Sequence, residues 1–262
     1  MIGATAPART TQATAPSTSS TSSSSTTAAT LRALAEPSTV TTPEELLARL
    51  KRLETALAGD GRVVFPAVYT AITKASVKLV ADGGVDDVAR SRALIVDFGR
   101  RYLRALAAHL DGDPVPPHWQ RHFALAAGQK PSLRAAASAI NAHLSVDLAE
   151  AVHACGASRA FAGDFATFGR ALAGATPDVV AALARHGVDG ERFVKGWFIG
   201  DVVDGVAGQG TTSRLGFQIV RAEAFTNAML LRECAFAPAL VRAGMNAACR
   251  NRETTLDVLV HT

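Results

Sequence analysis

Apolar residues recur at helical spacing early in the chain. The segment beginning at Thr42 is typical of a helix start, because Thr42 can cap the helix, Pro43 suits its first turn and Glu45 can complete a capping box. Gly59 is a suitable terminator. The stripe between them consists of Leu46, Leu50, Leu53 and Leu57.

The same spacing continues through the remaining chain. A loop rich in Pro, Gly and Asp interrupts it at 111–117, and no alternating β-branched run with hairpin turns is found. The pattern therefore predicts an all-α fold, a single bundle-like domain of about ten helices with short connections. The further helices are predicted at 65–82, 86–110, 118–127, 132–153, 164–173, 177–186, 191–206, 213–236 and 238–251.

The first forty residues have a different composition. Residues 17–27 are almost entirely Ser and Thr, which bury too little surface to offset the entropy of ordering. We therefore predict a disordered tail over residues 1–40 and a helical domain over residues 41–262.

Composition and charge narrow the classes of protein. With 48% hydrophobic and 19% charged residues over 262 positions, the chain is neither disordered nor a coiled-coil rod, and it needs no disulfide or metal to fold. The net charge of +4 comes from dispersed arginines, which argues against a nucleic-acid interface. Three cysteines without a CxxC pair suit a reducing cytoplasm. We see no secretory signal and no apolar run as long as a membrane span, so we expect a cytoplasmic protein with a small-molecule partner and no membrane partner.

The most informative polar positions lie in the predicted helix 132–153. At about 100° per residue, His143, Asp147 and Glu150 fall on one stripe beside the apolar face. A carboxylate one turn from a histidine makes an acid–base pair, or two ligands of a divalent metal. The alternative is a half-exposed polar pair of no chemical consequence.

Two further histidine spacings are weaker indications of a metal site. Glu150-x-x-His153 matches half of a di-iron motif, but no second copy follows. His118-x-x-x-His122 has the spacing of two ligands on one helix, although a polar surface at a helix start explains it more simply.

Two carboxylates interrupt an otherwise apolar segment, 193–205. Asp201 and Asp204 need partners if that segment is buried. These are either arginines such as Arg214 or Arg221, or a site in which the acids face a pocket or hold a cation.

The stretch from Ala139 to Leu148 resembles the Asn-Ala-His-(Ile/Leu)-x-x-Asp-Leu signature of a mainly actinobacterial domain-of-unknown-function family. The similarity extends from about Phe65 to Leu231, although Phe225 stands where the family pattern has Trp. It implies an all-helical domain in which Asn141, His143 and Asp147 matter most, and it implies no particular reaction. The supporting segments are Phe65…Tyr69…Thr73, Pro117-His118-Trp119 and Arg221-Ala222-Glu223-Ala224-Phe225.

These observations favour a small-molecule enzyme with a pocket between helices. His143 would be the general acid–base and Asp147 would orient it. Asn141 would hydrogen-bond the substrate or support the residues around the site, and Asp201 and Asp204 would add an acid or a metal ligand. Cyclisation, isomerisation or hydrolysis of a largely apolar metabolite would fit.

One alternative is a non-catalytic module that binds an apolar ligand or protein partner, and another is a metal-dependent hydrolase. The sequence requires no cofactor, although a divalent metal is possible.

Overall fold

A computed structural model describes residues 19–192 and 211–261, with side chains over 27–192 and 217–258. In those ranges all regular structure is helical and no strand occurs, which confirms the predicted all-α class. The α-helices are α1 Ser19–Ala35, α2 Pro43–Ala56, α3 Val64–Ala81, α4 Val88–Asp111, α5 Pro117–Ala126, α6 Leu133–Ala142, α7 Leu148–Ala154, α8 Ala162–Gly174, α9 Thr176–Ala184, α10 Thr211–Glu233 and α11 Pro238–His261.

The start of α2 confirms the capping prediction. The Thr42 hydroxyl accepts a hydrogen bond from the Glu45 backbone N–H at 3.1 Å, and the Glu45 carboxylate accepts one from the Thr42 N–H at 3.0 Å. Pro43 occupies the first turn, where its missing N–H leaves no donor unsatisfied. The helix ends just before the predicted terminator, and Gly59 supplies a positive φ in the turn that follows.

The predicted helix 132–153 is one continuous element at the centre of the fold. It consists of α6, a π turn over His143–Asp147, and α7. It packs against α3, α4, α5, α10 and α11. Its small residues Ala135, Ala139 and Ala142 are fully buried, which lets the neighbouring helices approach closely.

Large rings fill the space between α3, α4 and α5. Trp119 is fully buried, and Tyr102 and Phe65 are 1% and 2% exposed. The centroid of the Phe65 ring lies 4.5 Å from that of Tyr102 and 5.1 Å from that of Trp119. These contacts hold the start of α5 against α3 and α4, and so place it over the central helix.

The domain begins before residue 41, which corrects the C-terminal limit of the predicted tail. Helix α1 packs on α4 and α2, with Leu31, Leu34 and Val40 buried in the core. Arg49 of α2 donates hydrogen bonds to the carbonyls of Ala33 and Leu34, which are free at the end of α1. The order of this segment therefore comes from apolar contacts and a cap supplied by another helix.

Among the described helices, one meets the criteria of length and composition for a membrane span, whereas we predicted that no apolar run reaches that length. An 18-residue window within the stretch Gly61–Ala81 has a mean hydropathy of 1.4, and 61% of that window is buried inside the protein. Its buried residues pack against the other helices of the core, and a core helix of a soluble protein meets the same criterion.

Of two predicted elements toward the C-terminal end of the chain, one lies outside the described residues and the other is longer than predicted. The predicted helix 191–206 lies almost wholly outside the described residues. Helix α11 continues to His261, ten residues past the predicted end. Its additional turns carry Glu253 and Asp257, which bind the central helix.

Candidate functional site

The side chain of Asp147 lies at the end of the π turn and is 4% exposed. Its Oδ1 accepts a hydrogen bond from His118 Nε2 at 2.9 Å. Its Oδ2 accepts one from Trp119 Nε1 at 2.9 Å and one from His143 Nδ1 at 3.0 Å. We call these four residues, His118, Trp119, His143 and Asp147, the Asp147 cluster.

Two local features of the chain build this cluster. Pro116 and Pro117 end the preceding loop and start α5, so that His118 and Trp119 lie in its first turn. In the central helix, the Leu148 N–H donates to the His143 carbonyl, five residues back, as in a π-helix. Such turns are frequent at functional sites.

The imidazole of His143 is enclosed by aromatic rings. Phe98 stacks on it with a centroid separation of 3.6 Å and 9° between the ring planes. Tyr69 and Phe65 meet it edge-on at 4.7 and 5.1 Å, and Trp119 lies at 5.8 Å. His143 is 3% exposed as a result.

The protonation states of the cluster follow from this environment. Burial alone would raise the pKa of Asp147, but the hydrogen bonds that the carboxylate accepts from His118 and His143 outweigh this effect, and the net pKa is well below the ordinary value. An ionised carboxylate only accepts hydrogen bonds, so Nδ1 of His143 and Nε2 of His118 must each carry a proton.

His143 is therefore a neutral imidazole with its second nitrogen unprotonated. Burial lowers the pKa of His143, against the opposing effects of the Asp147 hydrogen bond and charge. With the proton on Nδ1, Nε2 holds a free lone pair, and this buried atom has no hydrogen-bond partner. A group of this kind can accept a proton, and Asp147 is placed to stabilise the resulting imidazolium.

His122 provides an internal comparison. It is fully buried, its Nδ1 lies 3.0 Å from the Ala135 carbonyl, and its Nε2 also lacks a partner. Burial lowers the pKa of His122 to about 4, and no carboxylate in the described ranges hydrogen-bonds to it to stabilise its charged form. The prediction of a polar surface at His118 and His122 was therefore wrong for both, since His118 also lies largely buried on Asp147.

Asn141 belongs to a separate polar network. Its Nδ2 donates to the Cys249 carbonyl at 2.9 Å and to Glu253 Oε1 at 2.7 Å, and its Oδ1 accepts from the Ser145 hydroxyl at 2.9 Å. Glu253 also accepts from Arg134 at 2.7 Å. These bonds join α6 to α11 and to the π turn, and no hydrogen bond links Asn141 to His143 or Asp147 among the described contacts.

The structure thus brings together two of the five predicted catalytic residues, His143 and Asp147. Asp201 and Asp204 lie outside the described residues. Glu150, predicted on the same stripe as His143, pairs instead with Arg242 at 2.6 Å. The π turn rotates the residues after it relative to those before it, so the 100° rule fails there.

Sequence reasoning missed the contributions of His118, Trp119 and Phe98 to the site. They lie 29, 28 and 45 positions from their partners in the central helix. A signal existed for the first two, because Pro117-His118-Trp119 was among the segments that carried the family resemblance. Phe65 and Tyr69, also among those segments, surround His143.

Within 19–192 and 211–261, no group of three or more His, Cys, Asp and Glu side chains is arranged to hold a metal ion.

The fold and the cluster define an all-helical domain with a buried histidine–carboxylate pair at a π turn. The family model described as "Family of unknown function (DUF5995)" matches residues 44–256, and the chain belongs to this family. The match runs from the first turn of α2 into α11, so α1 precedes it. No curated protein and no solved structure matches the chain. The signature and the actinobacterial distribution stay predictions.

Proposed function

We propose that this protein is an enzyme acting on a small, largely apolar molecule, with His143 as its general acid–base. The observation that carries the proposal is the pairing of His143 Nδ1 with Asp147 while the buried Nε2 has no partner. Buried polar atoms normally have hydrogen-bond partners, so an unsatisfied one needs an explanation, such as a role in catalysis.

The assigned protonation states support a base rather than an acid in the resting state. The neutral imidazole offers the Nε2 lone pair to a substrate proton, and Asp147 then faces a positive charge at hydrogen-bond distance. His118 and Trp119 keep the carboxylate ionised and fixed in position. Asp147 is thus a positioning residue that acts through His143.

The surrounding rings support an apolar substrate. Phe65, Tyr69, Phe98 and Trp119 offer apolar surface around the imidazole, and an environment of low dielectric strengthens the electrostatic effect of Asp147. Cyclisation, isomerisation and hydrolysis all need a proton removed or delivered at one atom. They are the reaction classes that we propose, in the cytoplasm and without a nucleic-acid partner.

The test compares wild type with H143Q and with H122Q. His122 is the matched control, because it is also a buried neutral histidine with an unpartnered Nε2 but lacks the carboxylate. Each folded protein is incubated with a metabolite extract of the organism that encodes it, and mass spectrometry follows every compound over time. We expect compounds that wild type and H122Q convert and H143Q does not. Identical time courses for wild type and folded H143Q would refute the assignment of His143.

A non-catalytic module that binds an apolar ligand is the second candidate. The four aromatic rings around His143 favour it, because such surfaces suit apolar ligands regardless of chemistry. In the same incubation, a compound that stays bound to wild type while its mass and total amount do not change would support binding over catalysis.

A further inference from the structure

Arg221 of α10 is a buried cation with aromatic neighbours. It is 3% exposed, and the centre of its guanidinium lies 4.3 Å from the centroid of the Phe165 ring and 5.5 Å from that of Phe217. One terminal nitrogen, Nη2, donates to the Phe165 carbonyl at 3.0 Å. The buried Nε has no hydrogen-bond partner.

No acidic side chain in the described ranges neutralises this charge. Burial lowers the pKa of Arg221 to about 10, so the guanidinium is protonated at neutral pH. Buried charges are strongly unfavourable unless they are paired. The contact with the rings and the one carbonyl offsets part of that cost.

Arg134 is a second buried arginine, and its guanidinium is paired with acidic side chains. It is 7% exposed, and its Nη2 donates to Glu253 at 2.7 Å while its Nε donates to Asp257 at 2.9 Å. Each guanidinium has one buried nitrogen without a hydrogen-bond partner, Nη1 in Arg134 and Nε in Arg221. Arg134 nevertheless pairs with two carboxylates, whereas among the described residues Arg221 has a carbonyl and no carboxylate. Within the part of the chain that the structure describes, Arg221 is therefore a buried cation without a paired anion.

We propose that Arg221 anchors a binding site for a small carboxylate with an apolar body. The Nε–H is a donor of the kind that carboxylate oxygens accept, and one guanidinium balances one negative charge. Phe165, Phe217 and Phe225 supply apolar surface around it, with the rings of Phe165 and Phe225 5.0 Å apart. The site does not depend on the proposed role of His143.

A carboxylate of the chain itself is the other source of the same chemistry. Asp201 and Asp204 lie outside the described residues, and the sequence named them as possible partners of Arg221. The experiment must therefore separate a bound carboxylate from these two side chains.

The first arm measures thermal unfolding of wild type, R221M and R232M with benzoate, hexanoate or benzamide at constant ionic strength. Benzamide has the shape of benzoate without the charge, and Arg232 is an exposed arginine of the same helix. We expect benzoate or hexanoate to raise the wild-type and R232M midpoints by about 2–4 °C in a concentration-dependent manner. Benzamide should have no effect, and R221M should not respond to any of the three.

The proposal is overturned if neither carboxylate raises the wild-type midpoint. It is also overturned if the rise persists in R221M. Should R221M not fold, R221K replaces it, and NMR follows the Nε–H resonance that this variant lacks. A benzoate-dependent shift of that resonance in wild type supports the proposal, and its absence refutes it.

The second arm uses D201N and D204N in the wild-type and R221M backgrounds. If the ligand site is correct, neither substitution changes stability differently in the two backgrounds. If either lowers the midpoint in wild type alone, the partner of Arg221 belongs to the chain, and the proposal fails.

Discussion

The ring of Phe98 lies flat on the imidazole of His143, with 3.6 Å between centroids and 9° between planes. Burial is the main reason that the pKa of His143 is lowered. We therefore expect F98L, which removes the flat cover and keeps an apolar side chain, to raise the pKa of His143 toward its ordinary value. An NMR titration of the imidazole Cε1–H measures this.

The control for that titration is F123L. Phe123 stacks on His109 in the same manner, at 4.3 Å and 3°. F123L should change the titration of His109 and leave that of His143 unchanged. A His143 titration that is the same in F98L and wild type would show that the stack does not control its solvation.

Replacing Asp147 with Asn should be strongly destabilising. The carboxylate accepts three hydrogen bonds from buried donors, and removing one partner of a buried charged network costs about 3–5 kcal/mol. Urea unfolding of D147N measures the loss. D178N is the control, because Asp178 pairs with Lys74 at 3.5 Å on the surface, where we expect a change of at most about 1 kcal/mol. Equal effects of the two substitutions would mean that the Asp147 cluster does not stabilise the fold.

Stability should fall as the pH drops below the ordinary histidine value. His122 has a pKa near 4 in the folded protein and near 6.5 when unfolded, so between these values the unfolded chain binds more protons. The stabilisation is complete above pH 6.5 and is lost as the pH falls toward 4. His143 acts in the same direction, since its pKa is also lowered.

Urea unfolding at pH 7 and pH 5 tests the pH dependence. From the shift of His122 alone, wild type should lose about 2 kcal/mol between the two. H122N should lose less, because it removes the titrating group. A loss of the same size in both proteins would assign the dependence to other groups.

Because α1 packs in the core, we expect Leu34 to contribute to the stability of the domain. Its side chain is 2% exposed in α1, so L34A should lower the free energy of unfolding by about 2–5 kcal/mol. L240A is the matched control, because Leu240 is 74% exposed and its truncation should change stability by less than about 0.5 kcal/mol. Had residues 1–40 all been a tail, L34A would also be neutral.

Asn141 and Glu253 should be energetically coupled. Asn141 Nδ2 donates to Glu253 Oε1 at 2.7 Å, with the pair largely buried. In a double-mutant cycle of N141A and E253A, we expect a coupling energy of about 0.5–3 kcal/mol. Additive effects would indicate that the network joining α6 to α11 is not cooperative.

The helices were predictable where the information is local. The capping box of Thr42 and Glu45 and the leucine stripe of α2 lie within sixteen residues of sequence, and both were confirmed. Helix α1 was missed because Arg49, fifteen or more positions away, caps it, and because α4 provides its apolar contacts.

The candidate site likewise has a part that was predictable from local spacing and a part that depends on residues distant in sequence. The spacing of His143 and Asp147 on one helix was visible in the sequence, and the contact is present. His118, Trp119 and Phe98 arrive from other helices, where helical periodicity carries no information about contacts. Asn141 is two residues from His143 in sequence, yet it bonds to α11, because successive helical positions face different directions.

The π turn also has a consequence for sequence change. A π turn holds one residue more than an α-helical turn, so deleting one of residues 143–147 would restore an unbroken α-helix. The deletion would rotate Leu148 and Val152, both buried, by about 100° relative to the residues before the turn. The packing of the core, as well as the hydrogen bonds of the Asp147 cluster, therefore depends on the additional residue in this turn. Among descendants of this sequence, variants of the turn that keep its length are tolerated more readily than variants that change it.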